Sequence, residues 1–224
     1  MKHLIKTADS SSLAAVNYNR VILNTTTDNV TIDYSYVDLG LPSGLKWATR
    51  NIGATSETDY GDYFMWGSTT PNTASQCNWT NAPFNGGASN YDEEYFNSVK
   101  DTVCPNGVLA KEYDAAVQIM GSEWRMPTET DFSELWRNTS NEWVTINGVN
   151  GWKFISKTNG NSIFIPASGY RYDSSFHNQG RSGEVWSSSV VNGNASTLYF
   201  ALDDLTPDSE AIRCDGLSVR GVRK

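Results

Sequence analysis

The sequence predicts an α+β fold, with many short strands and two helices in one main domain. Three observations lead to this prediction. Clusters of Gly, Asn, Pro and Ser interrupt the chain at short intervals, which is typical of strands joined by tight turns. Apolar residues at helical spacing occur in two segments, and 12% of the 224 residues are aromatic, which indicates a folded core. A chain of this length favours one domain with a small appendage.

The N-terminal segment, residues 1–35, differs in composition from the rest. Ser, Thr and Asn dominate it, and it contains no Trp. From Val30 to Tyr36 apolar and polar residues alternate, which is the pattern of a half-buried strand. We therefore place a domain boundary near Ser35 and expect residues 1–35 to attach or oligomerise the domain formed by residues 36–224.

Turn signals divide the main domain into strands. Asn159-Gly160 separates the strand-like segments Lys153–Lys157 and Ser162–Ile165, so a hairpin is predicted there. The other turn signals are Leu41–Gly44, Asn85–Gly87, Asn106-Gly107 and Asn147-Gly148.

The two predicted helices lie in the middle of the chain. The first spans about Leu109–Met120, where apolar residues fall at helical spacing. The second begins after Pro127, because Thr128 is a preferred N-cap residue and Asp131, three positions later, supplies a capping-box acid. The residues predicted to share one face of this helix are Phe132, Leu135 and Trp136.

Charge and hydropathy exclude several classes of partner. The net charge of −8 leaves no general basic surface for a phosphate backbone, so no nucleic-acid partner is expected. No run approaches the ~18 apolar residues of a spanning helix, so we expect no direct membrane insertion. The N-terminus, Met1–Lys6, turns polar at once and carries no readable export signal.

The cysteines and histidines do not form a recognisable metal or disulfide framework. The chain has three cysteines, Cys77, Cys104 and Cys214, and no two of them form a CxxC pair. Its two histidines are His3 and His177. Free or buried thiols are the favoured interpretation, and a Cys77–Cys104 disulfide in an oxidising compartment is the alternative. We expect no metal site and no cofactor.

Six separated blocks, in order, resemble the bacterial major paralogous domain (FISUMP) family from Tyr36 to the C-terminus. This resemblance implies a C-type-lectin-like fold of the formylglycine-generating-enzyme type. Some members of the family are similar to the variable proteins of diversity-generating retroelements, including a phage tropism determinant, in which codons near the C-terminus are rewritten. The blocks are Tyr36–Ala54, Tyr60–Gly67, Trp124–Thr128, Ile165–Arg171, Trp186–Ser189 and Ser218–Arg220.

The resemblance implies that residues 169–224 contain a ligand-binding region in which fixed frame positions alternate with a chemically mixed set. A recognition surface needs amphipathic anchors and adaptable polar groups on a rigid frame. Tyr172, Phe176 and Arg181 are the expected anchors. The frame positions are Gly169, Tyr170, Gly180, Gly183, Trp186, Leu198, Tyr199, Phe200, Arg213, Gly216, Val219 and Arg220. The candidate ligand-binding residues are Tyr172, Asp173, Ser174, Phe176, His177, Gln179, Arg181, Glu184, Val185, Val191, Asn192, Asn194, Thr197, Ile212, Cys214, Asp215 and Leu217.

From the residues alone, the mixed set also fits ordinary loops and edge strands. With the resemblance, we expect a non-catalytic protein that binds a protein or glycan receptor on a cell surface. A phage or prophage tail, or a surface adhesin, is the natural setting, so the expected location is a virion or the cell surface, with homo-oligomerisation through residues 1–35. The alternative is a structural or assembly protein that uses the same face as a fixed subunit interface.

Enzymatic readings have weaker support. The block around Arg125 also resembles the formylglycine-generating enzyme, but that oxidase holds copper with a pair of C-terminal cysteines, and Cys214 stands alone in this region. Arg125 is instead expected to anchor a loop through carbonyls or a carboxylate. His177 has no recognisable Ser or Cys nucleophile motif.

The sequence also does not support a calcium site or the calcium-dependent sugar binding of C-type lectins. Asp92–Glu94 and Asp203-Asp204 lack the alternating pattern of an EF-hand loop and are interpreted as solvated faces. The tripeptides Glu-Pro-Asn and Gln-Pro-Asp, which carry calcium-dependent sugar binding in true C-type lectins, are absent. We therefore expect no enzyme activity and no calcium-dependent lectin site.

Tryptophans in the family blocks and helices are expected to be core residues, because large aromatics in fixed motifs usually pack inside. Trp79 is the one expected to be exposed. The tryptophans assigned to the core are Trp47, Trp66, Trp124, Trp136, Trp143, Trp152 and Trp186.

Overall fold

A computed structural model describes residues 34–224 and, before them, the backbones of strands β1 (Val21–Leu23) and β2 (Val30–Ile32). The chain divides into two units, Met1–Ser35 and Tyr36–Lys224. In the first unit, β1 and β2 pair antiparallel. The attachment or oligomerisation role predicted for residues 1–35 falls mostly outside the described residues and stays a prediction.

The second unit has mixed α+β structure, as predicted, with fourteen short strands and three helices. The helices are α1 (Glu93–Val103), α2 (Ala115–Met120) and α3 (Glu129–Asn138). The strands are β3 (Tyr36–Asp38), β4 (Lys46–Ala48), β5 (Tyr63–Phe64), β6 (Trp124–Arg125), β7 (Thr139–Ile146), β8 (Val149–Ser156), β9 (Ser162–Pro166), β10 (Tyr170–Tyr172), β11 (Ser175–His177), β12 (Ser182–Val191), β13 (Asn194–Ala201), β14 (Asp204–Ala211), β15 (Leu217–Ser218) and β16 (Val222–Arg223).

The strands of this unit form four sheets. The largest has the order β14-β13-β12-β15-β5, and a four-stranded sheet has the order β3-β4-β16-β6. In the second of these, β16 pairs antiparallel with both β4 and β6, so the C-terminal strand lies beside the start of the unit. The meander β7-β8-β9 and the hairpin β10-β11 complete the set. The C-terminal residues are therefore tied into both large sheets.

The second predicted helix is confirmed, and the helix count of two is wrong. Thr128 is the N-cap of α3. Its side chain accepts from the Asp131 N–H, and the Asp131 carboxylate accepts from the Thr128 N–H, as the capping box requires. The segment predicted as one helix from Leu109 is shorter, because Lys111–Tyr113 forms a 3-10 turn and Asp114 caps α2.

Helix α1 is the element missed by the sequence analysis. Its N-cap is Asp92, and Glu93 and Glu94 lie in the first turn, where acidic side chains favour the positive end of the helix. Glu93 and Glu94 are exposed, so the acidic run is solvated as predicted, and it also forms the start of a helix. Only Phe96 and Val103 are buried, so the apolar periodicity was too weak to indicate a helix.

Both hairpin turns of the meander are where the sequence placed them. Asn147 and Gly148 join β7 to β8 with φ values of 49° and 82°, which suits a tight hairpin turn of the type that Asn-Gly favours. Asn159-Gly160 lies in the connection between β8 and β9.

Most of the predicted tryptophan core is confirmed. Trp47, Trp66, Trp124 and Trp186 are buried, and Trp143 and Trp152 are partly buried against the main core cluster. Trp136 corrects the prediction, because its side chain is 42% exposed. It follows Leu135 directly on α3, and the ~100° step to the next residue turns it away from the face that Phe132 and Leu135 bury.

The three cysteines are free and buried. Cys77 and Cys214 belong to one small apolar cluster with Met65 and Ala82, and Trp79 packs against it. Trp79 is therefore only partly exposed, and its ring lies 5.3 Å from that of Tyr91. Across the described residues, none of the helices has the length and apolar character needed to cross a membrane.

Candidate functional site

The hairpin Tyr170–His177, formed by β10 and β11, carries half of the exposed candidate residues, and we call it the display hairpin. Its tip residues Asp173 and Ser174 have positive φ values of 44° and 67°. Their N–H groups donate to the carbonyls of Cys77 at 2.9 Å and Ala74 at 3.1 Å. Main-chain bonds therefore hold the tip, whatever side chains it carries.

The base of the display hairpin is fixed just as firmly. The Arg171 N–H donates to the Gly216 carbonyl at 2.9 Å, and the Gly216 N–H returns a bond at 2.8 Å. Gly169 precedes the hairpin with a φ of 60°, and a Cβ there would lie 2.0 Å from the His177 carbonyl oxygen. Glycine is thus required where the hairpin leaves the core.

Arg171 supports Phe176, the most exposed of the large aromatic side chains among the described residues. Its guanidinium packs against the rings of both Tyr63 and Phe176, at 4.2 Å and 4.6 Å from their centroids, and donates to the Asn72 carbonyl at 2.6 Å. Phe176 nevertheless remains 54% exposed. An exposed apolar ring held by a stacked cation is a preorganised contact point.

On the other side of the hairpin, the rings of Tyr170 and His177 stack, with centroids 4.8 Å apart. Tyr170 also lines a pocket of about 370 Å³. We call it the acidic pocket, and its lining residues are Tyr170, Tyr172, Glu184, Glu210, Ala211, Ile212 and Asp215.

Two carboxyl groups in the wall of the acidic pocket are poorly compensated. Glu184 accepts one hydrogen bond, from the Thr197 hydroxyl at 2.9 Å, and Oδ1 of Asp215 is buried without a partner. Burial raises the pKa of Glu184 to about 7. Burial, together with the neighbouring Glu184 charge, raises the pKa of Asp215 to about 7. Each group is therefore only partly ionised near neutral pH, in a weakly solvated wall.

No salt bridge within residues 34–224 reaches this wall. The ion pairs in that part of the chain join Arg125 to Asp131 and Arg223 to Glu123. The Arg125 pair, at 2.6 Å, and its bond to the Met126 carbonyl confirm the predicted role of Arg125 as a loop anchor. Among residues 34–224, no ion pair therefore compensates the carboxyl groups of the acidic pocket.

The rim of the pocket is polar on the side of β14. Glu210 accepts hydrogen bonds from the side-chain amides of Asn192 and Asn194, each at 3.3 Å. Asn192 lies in the turn between β12 and β13 and Asn194 begins β13, so the rim is built from two hairpins. Gln179, beyond the display hairpin, donates to the Tyr63 hydroxyl at 3.2 Å.

Behind the pocket, Arg213 holds the loop that carries Ile212 and Asp215. Arg213 is fully buried, and its guanidinium lies 3.7 Å from the Phe96 ring centroid. It donates to the carbonyls of Gly193 at 2.9 Å and Pro83 at 3.3 Å. Arg213 therefore ties three loops together from below the surface.

The structure sorts the candidate ligand-binding residues by exposure. Most lie on the display hairpin, on the loop after it, or around the acidic pocket. The exposed ones are Tyr172, Asp173, Ser174, Phe176, Gln179, Arg181, Asn192 and Ile212. The partly exposed ones are His177, Glu184, Val191, Asn194 and Asp215.

Four of the candidate residues are corrected, because Val185, Thr197, Cys214 and Leu217 have no exposed surface and cannot contact a ligand. Val185 alternates with Glu184 along β12 and faces the core. Leu217 lies inside the largest sheet, and Cys214 packs in the cluster of Cys77. The buried Thr197 influences the acidic pocket only through its hydroxyl, which donates a hydrogen bond to Glu184.

Three pocket residues were missed by the sequence analysis. Tyr170 was assigned to the fixed frame, and Glu210 and Ala211 were not considered. Glu210 is exposed on β14 while Ala211 beside it is buried, so the alternation along that strand was the available signal.

A second pocket of about 400 Å³ contains none of the candidate residues and is lined in part by Lys111, Arg125, Trp124 and Arg223. Among the described residues, no group of three or more His, Cys, Asp or Glu side chains is arranged to hold a metal ion.

Comparison of the chain with protein-family models, with curated proteins and with solved structures finds no match.

Proposed function

We propose that this protein is a non-catalytic binding protein, in which a C-type-lectin-like domain presents a diversifiable recognition surface. One observation carries the proposal. Exposed, chemically mixed side chains, including Tyr172, Phe176 and Ile212, stand on backbone that is held by main-chain bonds to the rest of the domain. A fixed frame under variable side chains is what such a surface needs.

The resemblance to the FISUMP family gains support from how its blocks meet in space. The Trp186 indole donates to the Phe64 carbonyl at 2.6 Å, and the Trp66 indole donates to the Ser187 carbonyl at 2.9 Å. The Ser188 N–H donates to the Pro127 carbonyl at 2.7 Å. Three blocks that are far apart in sequence therefore share one network.

The remaining blocks join at the C-terminus. The buried Arg220 donates to Asn51 Oδ1 at 2.8 Å, to the Ala48 carbonyl at 2.9 Å and to the Phe164 carbonyl at 3.0 Å. The Ser218 hydroxyl bonds the Ser168 hydroxyl at 2.9 Å. The blocks therefore build the frame, and the tip of the display hairpin lies outside them. A lectin-like scaffold for diversification requires this arrangement.

The proposed ligand is a protein or glycan receptor on a cell surface, and the proposed setting is a phage or prophage tail or a surface adhesin. Tyr172, Phe176 and Ile212 supply exposed apolar contacts, and Arg181 and the acidic pocket supply charge. If residues 1–35 oligomerise the domain, several weak sites act together and raise the effective concentration. Glu184 and Asp215 occupy positions from the mixed set, so we assign them to binding and not to catalysis.

The test is to sequence the DNA that flanks this gene. We expect a near-copy of the segment encoding Gly169–Arg220, differing mainly at adenines, with the differences at exposed positions such as Tyr172 and Phe176. If the differences fall equally on buried positions such as Val185 and Leu217, the proposal fails. Sibling sequences without variation on this face would favour the alternative, a fixed subunit interface.

A further inference from the structure

Asparagines followed by glycine are prone to spontaneous deamidation, because asparagine amides are chemically labile and glycine has no Cβ to hinder the reaction. In a folded protein, two contacts oppose the reaction. One is a hydrogen bond of the asparagine side chain, and the other is a hydrogen bond of the glycine N–H that must attack it. The chain has such a pair at Asn85, Asn106, Asn147, Asn150, Asn159 and Asn192.

We propose that Asn147 is a site of spontaneous deamidation and that the fold protects the other five asparagines of this kind. The six share one sequence signal, and the structure separates them by their contacts. This inference goes beyond the proposed binding function and does not depend on it.

The reaction takes place within the chain and consumes only water. The Gly148 backbone nitrogen loses its proton and attacks Cγ of Asn147. An N–Cγ bond forms, the Cγ–Nδ2 bond breaks, and the side-chain nitrogen leaves as ammonia, which takes up the proton. Water then opens the cyclic succinimide. Cleavage of the new N–Cγ bond gives aspartate, and cleavage of the bond from the same nitrogen to the main-chain carbonyl carbon gives isoaspartate.

Asn147 has neither protecting contact. Its side chain is exposed and, within residues 34–224, has no hydrogen-bond partner. The Gly148 N–H donates to no acceptor in the same range. The two residues have φ values of 49° and 82°, so the turn must open before the nitrogen reaches Cγ. A Cβ placed at Gly148 would meet nothing within 4 Å, and tips of hairpins open at low cost, so the turn has room to do so.

Asn85 is the most strongly protected of the six. It is fully buried, and its side-chain amide donates to the carbonyls of Trp79, Ala88 and Asn90 at 2.9–3.0 Å. Its side-chain oxygen accepts from the Asp92 N–H at 2.8 Å. All four bonds would have to break for the ring to close.

Asn150 and Asn159 are held in the same way by fewer bonds. Asn150 accepts from the Thr145 hydroxyl at 2.6 Å and donates to the Gly180 carbonyl at 3.0 Å. Asn159 donates to the Asp38 carbonyl at 3.0 Å. Both side chains are therefore kept away from the geometry that the attack requires.

Asn192 and Asn106 are the nearest competitors, and each keeps one protecting contact. The Asn192 amide donates to the Glu210 carboxylate at 3.3 Å. Asn106 is exposed, but the N–H of its glycine, Gly107, donates to the Cys104 carbonyl at 3.1 Å. The attacking nitrogen is thus engaged at Asn106 and free at Asn147.

The two products should affect the hairpin differently. The turn joins Ile146 to Val149, which pair directly across β7 and β8. Aspartate leaves the main chain unchanged and tolerates a positive φ. Isoaspartate adds a methylene to the main chain of a two-residue turn whose length sets the strand register. The isoaspartate form should therefore loosen this end of the hairpin.

The experiment follows all six sites in the full chain at once. The folded protein is kept at pH 8 and 37 °C, samples are digested at acidic pH, and the peptides are separated and weighed by mass spectrometry. We expect conversion at Asn147 at least fivefold faster than at any of the other five. In urea the six rates should become nearly equal, because the protecting contacts are lost.

Two variants test the physical cause. Glu210→Ala removes the acceptor of Asn192, so conversion at Asn192 should speed up at least threefold while that at Asn147 stays unchanged. Asn147→Asp is the matched control for the product. Its Val149 amide should exchange with deuterium at the rate of the parent, whereas the isolated isoaspartate form should exchange at least tenfold faster.

Contrary results would overturn the inference. If Asn106 converts faster than Asn147 in the folded protein, the glycine N–H contact does not protect. If Asn147 converts as slowly as the buried Asn85, the turn does not open. Equal rates at all six sites without urea would show that the fold does not select among them. The proposed recognition function is tested separately, by the flanking DNA.

Discussion

The Trp186 indole N–H donates to the Phe64 carbonyl at 2.6 Å, inside the sheet that carries the candidate site. Trp186→Phe removes this donor and part of a fully buried ring. We expect the free energy of unfolding to fall by about 2–4 kcal/mol, from the lost hydrogen bond and the cavity. Urea unfolding followed by circular dichroism measures this. Trp136→Phe, on the exposed face of α3, is the control and should change stability by less than ~0.5 kcal/mol.

Arg220 provides the second prediction, because it is fully buried and satisfies three acceptors. Arg220→Met leaves Asn51 Oδ1 and two carbonyl oxygens without this donor. We expect a loss of about 3–5 kcal/mol, comparable to breaking a buried charged network. Arg181→Met, at an exposed position, should be nearly neutral. A thermal unfolding midpoint for Arg220→Met within a degree or two of the parent would contradict this account.

Much of the fold was predictable because the signals were local. The capping box at Thr128, the Asn-Gly turns of the meander and the ion pair of Arg125 follow from residues close in sequence. Helix α1 was not predictable in the same way, because its stabilisation comes from Asp92 at the cap and from packing of only two buried side chains.

For the candidate site, the sequence predicted a set of residues but not which of them are exposed. The resemblance predicts which positions vary, but it does not give the direction of each side chain. Along β12, Glu184 faces the pocket and Val185 faces the core, a difference that only strand register decides. The encounter of Glu184 with Asp215 depends on β12 and β15 lying side by side in parallel, and no local pattern encodes that pairing.

The third prediction concerns the pH dependence of stability. The pKa of Glu184 is raised from 4.5 to about 7, so below pH 4.5 the group is protonated in both the folded and unfolded states. Between these values the unfolded chain ionises first, and the free energy of unfolding falls as the pH rises. Glu184→Gln should therefore be about 1–3 kcal/mol more stable than the parent at pH 8 and equal to it at pH 4.

Unfolding in urea at pH 4, 6 and 8 tests this expectation. Glu142→Gln, an exposed carboxylate on β7, is the matched control and should show no comparable gain at pH 8. A constant difference between Glu184→Gln and the parent at all three pH values would show that burial of the Glu184 charge does not limit stability.

The fourth prediction distinguishes an exposed residue of the display hairpin from a buried residue of the frame beneath it. Phe176→Ala removes a side chain that is 54% exposed, so we expect a loss of less than ~1 kcal/mol, mainly from its contact with Arg171. Leu217→Ala, at a fully buried position that the sequence analysis assigned to the surface, should cost about 2–5 kcal/mol. Equal losses in the two variants would mean that the display hairpin is part of the core.

The last prediction concerns the buried thiols. Burial raises the pKa of Cys77 to about 11 and that of Cys214 to about 12, with Asp215 adding a like charge to each. Because the thiolate is the reactive form, both groups should be inert to iodoacetamide in the folded protein at pH 8. In urea, where burial is lost, alkylation should proceed at the rate of an ordinary thiol, and mass spectrometry of peptides would report each cysteine separately. Rapid labelling of Cys214 without denaturant would show that the loop behind the acidic pocket opens, which would contradict the rigid frame on which the binding proposal depends.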